Sequence, residues 1–123
     1  MAQVRTPIDQ VRELFAALDR KDVPALAAHL GDDVHTRMGN QDGVEGKAAF
    51  KQAAETFLGS IAAIRHEIHS IWSVDDAVVA ELSVHYTRLD GGQLTLPCCN
   101  VFRLRDGLVV DYRVYMDVSP VYA

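Results

Sequence analysis

The sequence predicts an α+β fold in which three N-terminal helices pack on a strongly curved, mostly antiparallel sheet. Two observations carry that expectation. Over the first sixty residues, apolar positions recur at helical spacing between capping and stopping residues. From roughly Ile61 to Asp117 the pattern changes to β-branched and aromatic runs that partly alternate with polar residues, as in Val78-Val79-Ala80-Glu81-Leu82-Ser83-Val84-His85-Tyr86-Thr87. Three turn signals cut this half into four long strands: Val74-Asp75-Asp76, Asp90-Gly91-Gly92 and Arg105-Asp106-Gly107. Asp-Gly and Gly-Gly pairs supply the positive φ that tight hairpins demand, and paired Asp does so more weakly. A meander of this length needs an apolar cover on one face, and the helices before it supply one.

The elements follow in order. Thr6-Pro7-Ile8-Asp9 starts a helix with a Thr cap, Pro at the first helical position and an acid near the positive dipole end. Ile8, Val11, Leu14, Phe15 and Leu18 form its buried stripe. After a break at Asp19 to Lys21, a second helix begins at Asp22, carries Pro24 in its first turn, presents Val23, Leu26, Ala27 and Leu30, and stops at Gly31. Asp33 to Met38 makes a short strand, and Gly39 to Gly43 a loop. A third helix spans about Lys47 to Leu58, with Phe50, Ala53, Ala54, Phe57 and Leu58 on one side and Gly59 ending it. With no linker composition, repeat or low-complexity segment, residues 1–123 read as one domain.

Composition excludes several function classes. A chain with 49% hydrophobic and 24% charged residues is ordinary for a globular domain and large enough for a core without staples. A net charge of −5 with no basic cluster argues against nucleic acid. The N-terminal residues lack an apolar leader core, and no run reaches the roughly 18 apolar residues of a membrane span, so a cytoplasmic location and no membrane partner are expected. Cys98 and Cys99 are adjacent, which works against a disulfide, and neither has a partner at zinc spacing, so both read as free thiols. No metal site is expected.

The helix-helix-strand opening "ALDRKDVPALAAHLGDDV" and, more specifically, "VFRLRDGLVVDY" followed by "YMD" resemble the SnoaL-like proteins of the nuclear transport factor 2-like superfamily. The resemblance covers nearly the whole chain. That superfamily also holds ketosteroid isomerases, limonene-epoxide hydrolases and polyketide cyclases. It implies a cone-shaped α+β barrel with a small-molecule pocket inside, and a homodimer formed through the outer sheet face. Members run many chemistries or none, so function rests on the site.

Period-two alternation sorts each strand into two faces, and the more apolar set is taken as interior. This puts Ile64, His66, Ile68, Ser70 and Trp72 inward on the first long strand and Ala80, Leu82, Val84 and Tyr86 on the second. The third contributes Leu96, Cys98, Asn100, Phe102 and Leu104, and the fourth Tyr112, Val114 and Met116. A bulge would flip part of a strand, and Pro97 is its expected place. The substrate-binding set is then Thr36, Met38, Phe57, Trp72, Leu82, Val84, Cys98, Phe102, Val114 and Met116. Such apolar walls with a few polar groups suit a small hydrophobic molecule.

The resemblance also subtracts. Where the epoxide hydrolases carry an Arg and an Asp two apart on the second long strand, this chain has Leu82 and Val84. Where those enzymes and the cyclases carry an Asp on the last strand, it has Val114. The ketosteroid isomerases' carboxylate base has no match at Thr36 or Met38. Epoxide hydrolysis by an Asp-Arg-Asp arrangement is therefore not expected, and no carboxylate occupies an inward strand position. His66 remains as the candidate base, since an imidazole is suited to move a proton at neutral pH. Burial among Ile64, Ile68 and Trp72 favours its neutral form. Tyr86, Asn100 and Tyr112 are the candidate donors to an oxyanion on a carbonyl substrate. Cofactor-independent isomerisation, dehydration or cyclisation follows, with a non-catalytic hydrophobic ligand-binding protein as the alternative. A further possibility is an interaction module using the outer face, with Val101 and Tyr115 as anchors. His69 and His85 are expected on that face, Asp117 in a structural hydrogen-bonding role, and Asp42 and Glu45 near the pocket mouth.

Overall fold

A computed structural model describes residues 5–123; the leader reading concerns, in part, residues 1–4, which lie outside them. Helix α1 (Pro7–Asp19) is capped as its sequence requires. Thr6 Oγ1 accepts from the Asp9 backbone N–H while the Asp9 carboxylate reaches back to the Thr6 N–H. Helix α2 (Val23–Ala27) starts on the Asp22 carboxylate, which accepts from the Ala25 N–H. It ends earlier than its sequence suggests. Gly31 is no helix stop but a buried residue inside strand β1 (Leu30–Met38), where an added Cβ would lie 3.5 Å from the Val110 side chain. The two-residue strand β2 (Val44–Glu45) precedes helix α3 (Lys47–Gly59), and neither β2 nor the terminal 3₁₀ turn (Ser119–Tyr122) has a clear sequence signal.

Four long strands follow: β3 (Ile61–Val74), β4 (Ala77–Arg88), β5 (Gln93–Arg105) and β6 (Leu108–Tyr115). The three expected turns join them. Asp75 and Asp106, both at φ 54°, adopt the left-handed conformation that short Asp side chains tolerate, and Gly91 and Gly107 share its sign. The sheet runs β2-β1-β6-β5-β4-β3, antiparallel except where β1 lies parallel to β6. It is a curved, mixed, unclosed sheet, so the cone does not complete a barrel. Helix α1 packs on β3 and α3 on β1 and β3, enclosing a core that includes Leu14, Phe15, Leu26, Leu82, Val84 and Phe102.

Register decides which side chains look inward. Along β3, His66 pairs with Val84 and Ile68 with Leu82, but Ser70 then pairs with Glu81 and Ile71 with Ala80. One extra residue, His69, is absorbed as a bulge. Beyond it Ile71 takes the inward position, and Trp72 turns out to solvent, 50% exposed. Trp72 is therefore not part of the interior wall, and the inward reading of Ser70 falls with it. Pro97, where a bulge was expected, sits in an unbroken ladder opposite Ser83.

Candidate active site

The concave face holds a cavity of about 170 Å³ between the sheet and α3. His66, Tyr86, Asn100 and Tyr112 all line it, together with Thr36, Met38, Phe57, Val84, Cys98, Val114 and Met116. Leu82 and Phe102 do not reach the cavity. Both are buried, Leu82 at the floor of an adjoining groove, and Phe102 stacks against Tyr112 at 4.5 Å between ring centroids. Trp72 lies on the far face. The adjoining groove, larger and more open at about 1220 Å³, shares Met38, Cys98, Val114 and Met116 with this cavity. It runs on over Glu81, Pro97, Arg113 and Tyr115 without His66, Tyr86, Asn100 or Tyr112 in its lining.

His66 is held more tightly than its own strand requires. Its Nδ1 lies 2.6 Å from Asp19 Oδ1, and the same carboxylate accepts the His66 backbone N–H at 3.1 Å. A carboxylate accepts only, so Nδ1 carries the proton. Phe15, one helical turn before Asp19, stacks on the imidazole at 4.8 Å and 24°. The His66 side chain is only 6% exposed, and its Nε2 has no protein partner among the described residues. No fully buried side-chain nitrogen or oxygen among them is unpartnered, so Nε2 opens onto the cavity. The hydrophobic surroundings inferred from sequence thus lose Trp72 and gain Asp19. Asp19 is the functional candidate that strand alternation could not reveal, because it arrives from a helix.

The opposite wall presents neutral donors. Asn100 is 1% exposed, and its Oδ1 accepts from the Cys98 thiol at 3.1 Å, which leaves Nδ2 free for the cavity. Burial pushes the Cys98 thiol up to about 12, so it stays protonated and donates. Burial likewise raises the Tyr86 and Tyr112 phenols far above their ordinary value, and Cys98 adds to both shifts. The Tyr86 hydroxyl has only Met116 Sδ at 3.8 Å, and Tyr112 has no side-chain or backbone partner among the described residues. Protonated, facing the cavity and with no partner stronger than a thioether, these groups can donate to an oxygen that becomes anionic.

The remaining candidates fall into place around this centre. Asp42 lines the cavity mouth with Arg37 and Gln41, whereas Glu45 turns away to His35 at 3.6 Å. Asp117 accepts from the Ser119 N–H and Oγ, which hold its carboxyl below the ordinary range, and it takes no place in the cavity. His69 pairs with Ser83, and His85 bridges Thr95 and Glu67, all on the outer face. Tyr115 is exposed there and Val101 half-buried. Both cysteines are free. No group of three or more His, Cys, Asp or Glu among the described residues is arranged to hold a metal ion. No described helix is long and apolar enough to cross a membrane.

Comparison with known proteins agrees with this geometry at the level of fold. No curated protein matches the sequence. Among solved structures, an NTF2-like protein of unknown function from Burkholderia pseudomallei superposes with a TM-score of 0.84 at 21% identity, covering 92% of each chain. A candidate polyketide cyclase from Pseudomonas putida gives 0.81 at 23% identity, covering 94% of this chain and 95% of that one. A protein with a ketosteroid isomerase-like fold from Catenulispora acidiphila, solved with trimethylamine, gives 0.85 at 17% identity over 95% and 91%. At such identities the likeness is one of fold alone. A family model is more specific: the SnoaL-like domain matches residues 11–112, from the core of α1 to Tyr112 in the cavity wall. The chain therefore belongs to the SnoaL-like domain family.

Proposed function

We propose that this protein is a small-molecule enzyme performing cofactor-independent acid/base chemistry beside a carbonyl, on a hydrophobic substrate held in the 170 Å³ cavity. The Asp19–His66 pair carries the reading, because it fixes the imidazole's proton on Nδ1 and leaves Nε2 toward the cavity. In this scheme Nε2 removes a proton from the carbon next to the carbonyl. The electron pair moves onto the carbonyl oxygen, where Tyr112, Asn100 and Tyr86 donate hydrogen bonds. Asp19 stabilises the imidazolium that forms, as an orienting carboxylate does in other His-based sites. Returning the proton to a different carbon gives isomerisation, losing a β-hydroxyl gives dehydration, and attack on a second carbonyl gives cyclisation.

The test is exchange of α-protons. A simple ketone such as cyclohexanone incubated in D₂O should lose its α-proton NMR signals faster with the protein than without it. His66→Gln should abolish the acceleration. Equal exchange by the His66→Gln variant removes the proposed base.

A second reading, a non-catalytic hydrophobic ligand-binding protein, draws support from the apolar side chains Leu82, Val84 and Val114 at inward strand positions where related enzymes use charged groups. Binding of cyclohexanone without any exchange would favour it. A homodimer through the outer sheet face and a cytoplasmic setting belong to the same proposal. Exposed Tyr115 on that face supports the first, and the free thiols Cys98 and Cys99 support the second.

A further inference from the structure

Resting on that reading of the site, we propose that the substrate is a single-ring or equally short carbonyl compound rather than a fused polycycle. The cavity volume is the first reason. An apolar cavity of about 150 Å³ holds one benzene ring, whereas sites for drug-sized ligands run from roughly 300 Å³ upward. At about 170 Å³ this one has room for a six-membered ring and a small substituent.

The placement of the anchoring groups is the second reason. Asn100 and Tyr112 are buried in the wall, so a carbonyl oxygen held by them draws its ring into the cavity rather than leaving it at the rim. Met38, Met116, Phe50 and Phe57 then close around that ring. Phe57 lies edge-on to Tyr86 at 6.3 Å, and Phe50 lies 6.2 Å from Tyr112, so both walls rest against the rings that carry the donors. A second fused ring must leave the cavity past Arg37, Gln41 and Asp42, or pass Met38 and Met116 into the adjoining open groove, where it stays in contact with water. The anchors themselves are neutral donors, so they select an oxygen that gains charge during reaction rather than a fixed anion.

Calorimetric titration of a ligand ladder tests this on the whole chain. Cyclohexanone and 1-decalone carry the same carbonyl on one and two rings. A second ring that was fully buried would tighten binding about 200-fold, at roughly 0.8 kcal/mol for each of four added methylenes. The expected result is that 1-decalone binds no tighter than cyclohexanone, and that Met38→Ala, which shortens one wall, lets 1-decalone gain on cyclohexanone. Tighter binding of 1-decalone to the unaltered protein overturns the proposal, as does an unchanged ranking in Met38→Ala. A parallel pair keeps the two claims apart: phenol mimics an enolate oxygen on one ring, and toluene has the same shape without it. Phenol binding no better than toluene would remove the oxyanion site while the ring ranking still stood or fell by itself.

Discussion

Replacing Asp19 separates what its carboxylate does for His66 from what it does for the fold. The wild-type side chain accepts from Nδ1 at 2.6 Å and from the His66 backbone N–H at 3.1 Å. Asp19→Asn keeps one oxygen for the backbone but presents an NH₂ that can donate to Nδ1. The ring proton then moves to Nε2, and a nitrogen already protonated cannot take another proton from substrate. General-base catalysis contributes on the order of 10²–10⁴ in rate, so α-proton exchange should fall by at least about 100-fold. A hydrogen bond to a charged group contributes about 1.5–3 kcal/mol and a neutral one about 1, so the Asn variant should lose only about 1 kcal/mol of stability. Asp19→Ala strands two partly buried donors and should cost roughly 3 kcal/mol, lowering Tm by about 10 °C for a domain of this size. Imidazole ¹⁵N shifts report the tautomer, and circular dichroism the unfolding. The reasoning fails if the Asn variant is folded and exchanges at the wild-type rate, or if the wild-type imidazole carries its proton on Nε2.

Other consequences are quicker to check. Cys98→Ser retains a donor to Asn100 Oδ1 and should preserve phenol affinity, while Cys98→Ala frees the amide to rotate and should weaken it several-fold; equal loss in both variants would refute the orienting role. Alkaline stability follows from the raised acid groups: the folded chain binds the Cys98, Tyr86 and Tyr112 protons more tightly than the unfolded one, so their contribution is complete below pH 9 and declines above it. Denaturant midpoints should therefore fall steadily above pH 9–10, and a flat profile to pH 12 would contradict the burial of these groups. Trp72, the single tryptophan, is half exposed and remote from the cavity, so its emission should be that of a hydrated indole and stay unchanged when cyclohexanone binds. Trp72→Ala should alter stability by about 0.5 kcal/mol or less, and a large loss would place the indole in a packed environment.

Much of this architecture is legible in the sequence because local rules and tertiary packing agree. The Thr6 cap, the hairpin aspartates and the inward sets of β4, β5 and β6 all follow from chemistry that acts within a few residues. The failures have physical causes. Alternation cannot detect the bulge at His69, since the extra residue is defined by the partner strand and not by any side chain on β3. Pro97 misleads in the opposite sense. It lies before Cys99, the first β5 residue paired with β6, so on that side no β6 residue lies opposite it and no bulge is needed to accommodate it. Asp19 was partly visible as an anomaly. An acid in the last turn of α1 opposes the helix dipole by about 0.3–1 kcal/mol, and a residue that breaks a local rule often answers to something distant. Here it answers to His66, forty-seven positions on. The cavity's size was beyond reach, because it depends on how far α3 stands from the sheet.

The extra residue in β3 also separates two properties usually tied together in a hairpin. Ile68 and Ile71 both face inward although three positions apart, and Leu82 and Ala80 opposite them keep strict alternation. A chain shortened by His69 would form a regular ladder across the same pairs. Deletion of His69 would therefore trim the strand's outer face while leaving in place Ile64 and His66, the β3 side chains that meet the cavity.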